Sequence, residues 1–265
     1  ARGPQRIVCL TEETTEWLYQ LGQSHRIVGI SGYTVRPRQA RLEKPKVSAF
    51  LSAKIDQILA LKPDCVLGFS DLQADIAAQL IRHGIQVLVF NQRSVAQIKD
   101  MLWQLASLVD AQEAGERELA AIEQHMNRIA DQAATCPLRP RVYFEEWDEP
   151  QISAIQWVSE LVHWAGGQDI FPELATQSLG KNRIIADPLE VVRRNPQIIF
   201  GSWCGKKFRP EQVAARLGWQ GVSAVRHRHL IEIKSPVILQ PGPASLTEGL
   251  SQLHAWVEHW KAAQL

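Results

Sequence analysis

Charge of one sign is what this chain most lacks: 29 basic residues stand against 28 acidic ones, a formal net charge of +1. With no surplus to drive counterion-release binding, no nucleic-acid partner is expected. No uninterrupted apolar run approaches the ~18 residues a membrane helix needs, so a soluble chain is expected. The opening Ala1-Arg2-Gly3-Pro4-Gln5 lacks the basic-then-apolar layout of a secretory signal, which fits a processed chain. Cysteine is sparse. Cys9, Cys65, Cys136 and Cys204 lie far apart with no C-x-x-C pair, which disfavours a zinc site and leaves two disulfides or none. Cys9 and Cys65 sit in apolar runs and read as buried thiols. Also missing are G-x-G-x-x-G, G-x-x-x-x-G-K-[ST], G-x-S-x-G and H-E-x-x-H, so no familiar catalytic template is in place.

What is present is a globular composition, 45% hydrophobic and 22% charged over 265 residues, which excludes disorder. At roughly 150 residues per domain, two compact units are expected. Short strand-like runs alternate with amphipathic stretches: Ile7 to Leu10, Ile27 to Ile30, Cys65 to Phe69 and Val87 to Phe90, then Val142 to Phe144, Ile198 to Phe200 and Leu230 to Ile233. The halves match in detail. Ile58 to Phe69 and Val191 to Gly201 both carry a helical stretch stopped before proline (Pro63, Pro196) and followed by an apolar run. Trp17 and Trp157 each fall on the helix after the first strand of a half. The expected fold class is therefore α/β, two Rossmann-like lobes joined by a long connecting helix.

The expected organisation is an N-terminal lobe over 1–93, connecting helices over 94–136 and a C-terminal lobe over 137–265. In the connector, Ser94 and Gln97 form an S-x-x-Q capping box ahead of Val95, Ile98, Leu102, Leu105 and Val109. Asp110 and Glu113 look like a second cap, followed by Leu119, Ile122, Met126, Ile129 and Ala133. A helix over about 111–134 would span roughly 36 Å, a strut as long as a domain is wide. Too few heptads follow for a coiled-coil dimer, so a monomer is expected. The tract Gln240 to Thr247 reads as scaffold, with Ser245 and Glu248 as an S-x-x-E cap on the final helix.

Ligand sites of α/β folds lie in the loops after strand carboxyl ends, and three such loops are rich. Thr11-Glu12-Glu13-Thr14-Thr15-Glu16-Trp17 places hydroxyls and acids at a helix start, with capping the competing explanation for Thr11. Phe144-Glu145-Glu146-Trp147-Asp148-Glu149-Pro150 surrounds an aromatic with acids, unlike a core. Gly201-Ser202-Trp203-Cys204-Gly205-Lys206-Lys207-Phe208 combines glycines, an indole face and positive charge. Glu145 and Glu146 adjoin a strand and point to opposite faces, so they cannot flank one glycosidic bond. His227-x-His229 sits among Arg226 and Arg228, which disfavour a cation, and no metal site is expected. Nine tryptophans suit a large flat ligand, although most are expected in the core. By position, Tyr33 and Phe50 are added as aromatic ligand contacts.

The duplicated halves, the helical connector and Ala60-Leu-Lys-Pro-Asp-Cys-Val-Leu67 resemble the periplasmic substrate-binding proteins of ATP-binding cassette importers of the rigid-helix class. Within that class, F-E-E-W at Phe144 to Trp147 and G-S-W-C-G-K-K at Gly201 to Lys207 are similar to the cobalamin-binding group. The resemblance runs from about Arg6 to Trp260. It implies a non-enzymatic protein that carries a corrinoid as transported ligand in a ligand cleft between the lobes, with no cofactor of its own. It also implies delivery to a membrane permease, from the periplasm or from a lipid anchor outside the inner membrane.

The same resemblance offers Phe69 to the corrin, where those proteins present tryptophan, and proposes one docking acid per lobe: Asp75, where the family has Glu, and Glu211. The expected ligand contacts are thus Thr11, Glu12, Tyr33, Phe50, Phe69, Glu145, Glu146, Trp147, Trp203, Cys204, Lys206 and Lys207. A ferric siderophore or haem remains the alternative, kept open by Tyr33 and Arg36, while the acid-rich F-E-E-W segment speaks against an anionic chelate. An interlobe enzyme using Cys204 with Lys206 is the reading from a different class.

Overall fold

The structure is a computed structural model and describes residues 2–264. By mutual contact the chain divides into two units. The first holds the residues up to Gln92 together with Ala96–Ile122 and Gln240–Pro243; the second holds Arg93–Val95, Glu123–Leu239 and the residues from Ala244 on. Gln240–Pro243, expected with the C-terminal lobe, thus packs with the first unit, where the Pro241 carbonyl accepts from Gln92 Nε2 at 3.0 Å.

In the first unit, β1 (Ile7–Cys9), β2 (Ile27–Ser31), β3 (Lys46–Ser48), β4 (Cys65–Phe69) and β5 (Val87–Phe90) form one sheet in the order β3-β2-β1-β4-β5. Every pairing is parallel. Such a sheet is covered on both faces, which is why β1 and β4 read as unbroken apolar runs and are buried throughout. β3 escaped the sequence reading because three residues, one of them Lys46, show no period.

The second unit holds β6 (Arg141–Asp148), β7 (Gln151–Ser153), β8 (Gln168–Asp169), β9 (Ile198–Gly201) and β10 (Leu230–Glu232). Its sheet runs β10-β9-β6-β7, with β8 beside the start of β6. The β6–β7 pair is antiparallel and the other pairings are parallel. Glu145 to Asp148, expected as a loop, is therefore strand: β6 continues through Asp148 and folds back on β7.

The internal likeness extends to single residues. Helix Ile55–Ala60 is followed by Lys62 at φ +48° directly before Pro63, and helix Leu189–Arg194 by Asn195 at φ +44° directly before Pro196. Proline disfavours the right-handed helical region for the residue ahead of it, and in both halves a left-handed residue turns the chain into a strand. Trp17 and Trp157 are both buried, and both indoles donate to distant carbonyls, Leu102 at 2.8 Å and Ile238 at 2.9 Å.

The connector forms helices Val95–Leu108 and Gln112–Ala134. In the second of these, Ile122, Met126, Ile129 and Ala133 are buried and Leu119 is half-buried. Its membership passes from the first unit to the second after Ile122. Asp110 does not cap it. At φ +59° Asp110 closes the preceding turn, and its carboxylate accepts from the Arg2 amide at 3.3 Å. Ser245 is likewise no cap, because it lies inside a π-helical turn, Ser245–Gly249, that runs directly into Leu250–Ala262.

Candidate functional site

The carboxyl edge of the first sheet is shaped by one buried amide. Gln73 accepts from the Phe69 amide at 2.8 Å and donates to the Leu10 carbonyl at 3.3 Å and the Phe50 carbonyl at 3.0 Å. It ties together the loops after β1, β3 and β4, and so positions both Phe50 and Phe69. Nothing in the sequence pattern marked Gln73, since a buried glutamine has no periodic signature. Beside these loops, the Ser31 hydroxyl accepts from the Tyr33 amide at 3.2 Å, and Arg41 donates to the Gly32 and Thr34 carbonyls at 3.1 and 3.2 Å. Tyr33 itself stands out at 63% exposed, with Leu51 and Leu72 exposed on the neighbouring loops and Phe50 half-buried. Phe69 is buried.

The acids after β1 are buried. Glu12 is 7% exposed and Glu13 1%, while Glu16 is buried and ion-paired with Arg36 at 3.1 Å. Burial, and then the charge of Glu13, push the Glu12 carboxyl up to about 8; burial pushes Glu13 up to about 7. Thr11 is buried and donates to Glu13 Oε1 at 2.8 Å, so its hydroxyl serves the acid cluster and makes no helix-capping bond. Glu12 Oε2 and the hydroxyls of Thr15 and Thr34 are buried without a protein partner. This edge thus offers exposed aromatic and aliphatic surface, together with the buried Glu12 and Glu13 carboxyls whose proton affinity is raised, a chemistry suited to an uncharged, flat ligand.

The corresponding edge of the second sheet is built on two arginine–carboxylate pairs. Glu145 is 0% exposed, and its carboxylate accepts from Arg216 at 2.7 and 2.8 Å, from the Tyr143 hydroxyl at 2.8 Å and from the Trp203 indole at 3.1 Å. Burial pulls the Arg216 guanidinium down, and the hydrogen bonds to Glu145 more than reverse it, so the net effect is upward. Burial and the Glu145 charge hold the Tyr143 phenol well above its usual range. Glu146 accepts from buried Arg183 at 2.9 and 2.8 Å and also from the Ile155 backbone; burial raises its carboxyl, and the Arg183 charge only partly offsets this.

Glu145, expected on a ligand rim, is instead fully buried and bonded to Arg216, whereas Glu146 is half-buried and paired with Arg183. Trp203, expected to stack on a ligand, is 3% exposed and packs edge-on against Phe208 with ring centroids 4.9 Å apart. Gly201 is required beneath it, because a Cβ there would lie 1.9 Å from the Phe208 ring. Arg183 and Arg216 lie far along the chain, and no local pattern announces that they neutralise the acids of β6.

The remaining residues of this edge are reachable. Trp147 is half-buried, and Lys206 Nζ sits 4.7 Å from its ring centroid, 5.0 Å from that of Trp203, and 2.7 Å from the Asp148 carboxylate. Cys204 and Lys207 are exposed. Asp75 and Glu211 are also exposed, each in the first turn of its helix, Ala74–Arg82 and Pro210–Ala214. No disulfide is formed among the described residues, and burial pushes Cys9 up to about 11 and Cys65 up to about 12. Among the described residues no group of three or more His, Cys, Asp or Glu side chains is placed to hold a metal ion, and no helix is long and apolar enough to cross a membrane.

Comparison with known proteins gives these two sheets a lineage. The family described as periplasmic binding protein matches residues 7–237. The chain belongs to that family. Among its relatives is an uncharacterized ABC transporter substrate-binding lipoprotein of Bacillus subtilis, 22% identical over 266 residues, covering 95% of this chain and 79% of that one. The vitamin B12-binding protein of Vibrio campbellii is 27% identical over 209 residues, 76% of this chain and 72% of its own. A periplasmic heme binding protein from Pseudomonas aeruginosa has the same fold, with a TM-score of 0.80 at 21% identity over 96% of this chain and 92% of that one. This member of the periplasmic binding protein family therefore shares an α/β architecture with proteins whose names span more than one chelate.

Proposed function

We propose that the protein captures a cobalamin-like corrinoid outside the inner membrane and delivers it to the permease of an ATP-binding cassette importer, without catalysing a reaction. The observation that carries this reading is the 27% identity to a vitamin B12-binding protein over three quarters of the chain. The first unit supports it with exposed Tyr33 and half-buried Phe50, and the second with Trp147 and Lys206 beside it. A corrin is a large flat ring with an amide rim, which aromatic faces and uncharged hydrogen-bonding groups suit better than a field of arginines.

The deciding experiment is a calorimetric and tryptophan-fluorescence titration with cyanocobalamin, run beside cobinamide, haem and a ferric siderophore. Saturable one-to-one binding of the corrinoids is expected, and Tyr33→Ala and Trp147→Ala should each weaken it about ten-fold or more, roughly 1.4 kcal/mol. Haem is the second reading, favoured by the exposed Tyr33 phenol, a group able to serve as an axial ligand. Haem binding that Tyr33→Ala abolishes, with corrinoids inert, would replace the corrinoid reading.

Asp75 and Glu211 are the proposed permease contacts. Both are exposed, although in each case compensation of a helix N-terminus is the competing explanation. Reversing both, Asp75→Lys with Glu211→Lys, is expected to leave cyanocobalamin binding unchanged while uptake by cells carrying the importer falls more than ten-fold. If the titration weakens instead, the two acids belong to ligand binding.

A further inference from the structure

Away from both carboxyl edges, the second unit has a cavity of about 260 Å³, lined by side chains of helices Gln112–Ala134 and Leu250–Ala262. One helix supplies His125, Arg128, Ile129 and Gln132; the other supplies Ser251, His254 and Ala255. Spacings of three and four place each set on a single helix face, and such a face at a packed seam ordinarily carries interdigitating apolar residues. Here the small side chains of Ser251 and Ala255 leave space, and polar groups wall it.

Those walls donate more than they accept. No carboxylate lines the cavity. Arg128 is exposed and has no ion-pair partner among the described residues, so its planar fork of N–H groups is available. His125 Nε2 lies 3.3 Å from the Thr247 carbonyl and 2.9 Å from Ser251 Oγ. A carbonyl can only accept, so the proton sits on Nε2, Ser251 Oγ receives it too, and the Ser251 hydroxyl hydrogen is left to give away. His254 is 9% exposed, and its Nδ1–H donates to the Ala165 carbonyl at 3.0 Å; this fixes the ring and leaves Nε2 as its free nitrogen. The Gln132 amide adds two further N–H groups.

We propose that this cavity is a second binding site, specific for a small oxyanion of the phosphate or carboxylate kind. The Arg128 fork holds two of its oxygens, and the Ser251 hydroxyl and Gln132 amide hold the rest. The site is independent of the corrinoid reading, since none of its residues belongs to either carboxyl edge.

The test is a titration of the full chain with inorganic phosphate and, separately, with acetate at constant ionic strength, followed by calorimetry and amide NMR shifts. Saturable binding of one or both is expected, with shifts centred on residues 125–132 and 251–255. Arg128→Ala should weaken it about ten-fold or more and Ser251→Ala about three-fold. Arg117→Ala, an exposed arginine earlier on the same helix, should leave it unchanged. Linear, unsaturated responses to both anions, or an equal loss in Arg117→Ala, would overturn the proposal. Cyanocobalamin titration of Arg128→Ala is expected to match the parent; a joint loss of both ligands would also overturn the local assignment.

Discussion

Glu145→Ala is expected to destabilise the second unit by about 3–5 kcal/mol, the cost of breaking a buried ion pair from one side. The substitution leaves the Arg216 guanidinium unpaired in a mostly buried position, and strips the Tyr143 hydroxyl and the Trp203 indole of the acceptor they share. Each orphaned donor carries its own desolvation penalty. A domain has only about 5–15 kcal/mol in hand, so a large part of the unit's stability would go. Glu145→Gln keeps the shape and one acceptor oxygen, and should fall between the parent and Glu145→Ala. Urea unfolding followed by tryptophan fluorescence reads the effect directly, because Trp203 and Trp219 lie in the affected core. A Glu145→Ala protein within about 1 kcal/mol of the parent would show that the carboxylate does not hold this core together.

The first unit should lose stability as pH rises from 6.5 to 8. Glu12 and Glu13 are raised in the fold from 4.5 to about 8 and about 7, so the folded protein keeps protons that the unfolded chain gives up. A carboxyl raised in this sense contributes fully below its unfolded value, and the contribution is lost as pH climbs through its folded value. At about 1.4 kcal/mol for each ten-fold change in proton affinity, the pair amounts to a few kcal/mol. His229 works the opposite way. Burial holds it below its usual value, so its contribution is lost as pH falls, and measurements kept above about pH 6.5 isolate the acids. The parent is expected to melt at least ~5 °C lower at pH 8 than at pH 6.5. Glu12→Gln with Glu13→Gln should remove more than half of that difference, because an amide has no proton to lose. An undiminished pH slope in the double variant would mean that these acids are ionised in the fold.

Much of the architecture was legible in advance because its causes are local. A proline after an apolar helix stops that helix wherever it occurs, so Pro63 and Pro196 disclosed the internal duplication. Parallel strands covered on both faces read as apolar runs, and β1, β4 and β9 lie where such runs are. The stripe Ile122, Met126, Ile129 and Ala133 marked the connecting helix for the same kind of reason. Short or polar elements were not legible: β3, β7 and β8 have two or three residues each, too few to show a period.

The carboxyl edges of the two sheets divide along the same line. Sequence alone determined the chemistry on offer, which is aromatics and acids after apolar strands; that Tyr33 and Lys207 are exposed came from the structure. Which acids remain available was decided only by tertiary structure. Glu145 and Glu146 look alike to any local reading, yet β6 carries them into the reach of Arg216 and Arg183, while Glu12 and Glu13 are buried without a cation bonded to them. Trp203 is interior because Phe208 and Glu145 close over it, and Gln73 matters because three loops converge on its amide. Periodicity reports which face of an element is apolar; a charge or hydrogen bond is settled by whichever group the folded chain brings within about 3 Å, and that partner can lie anywhere in the sequence.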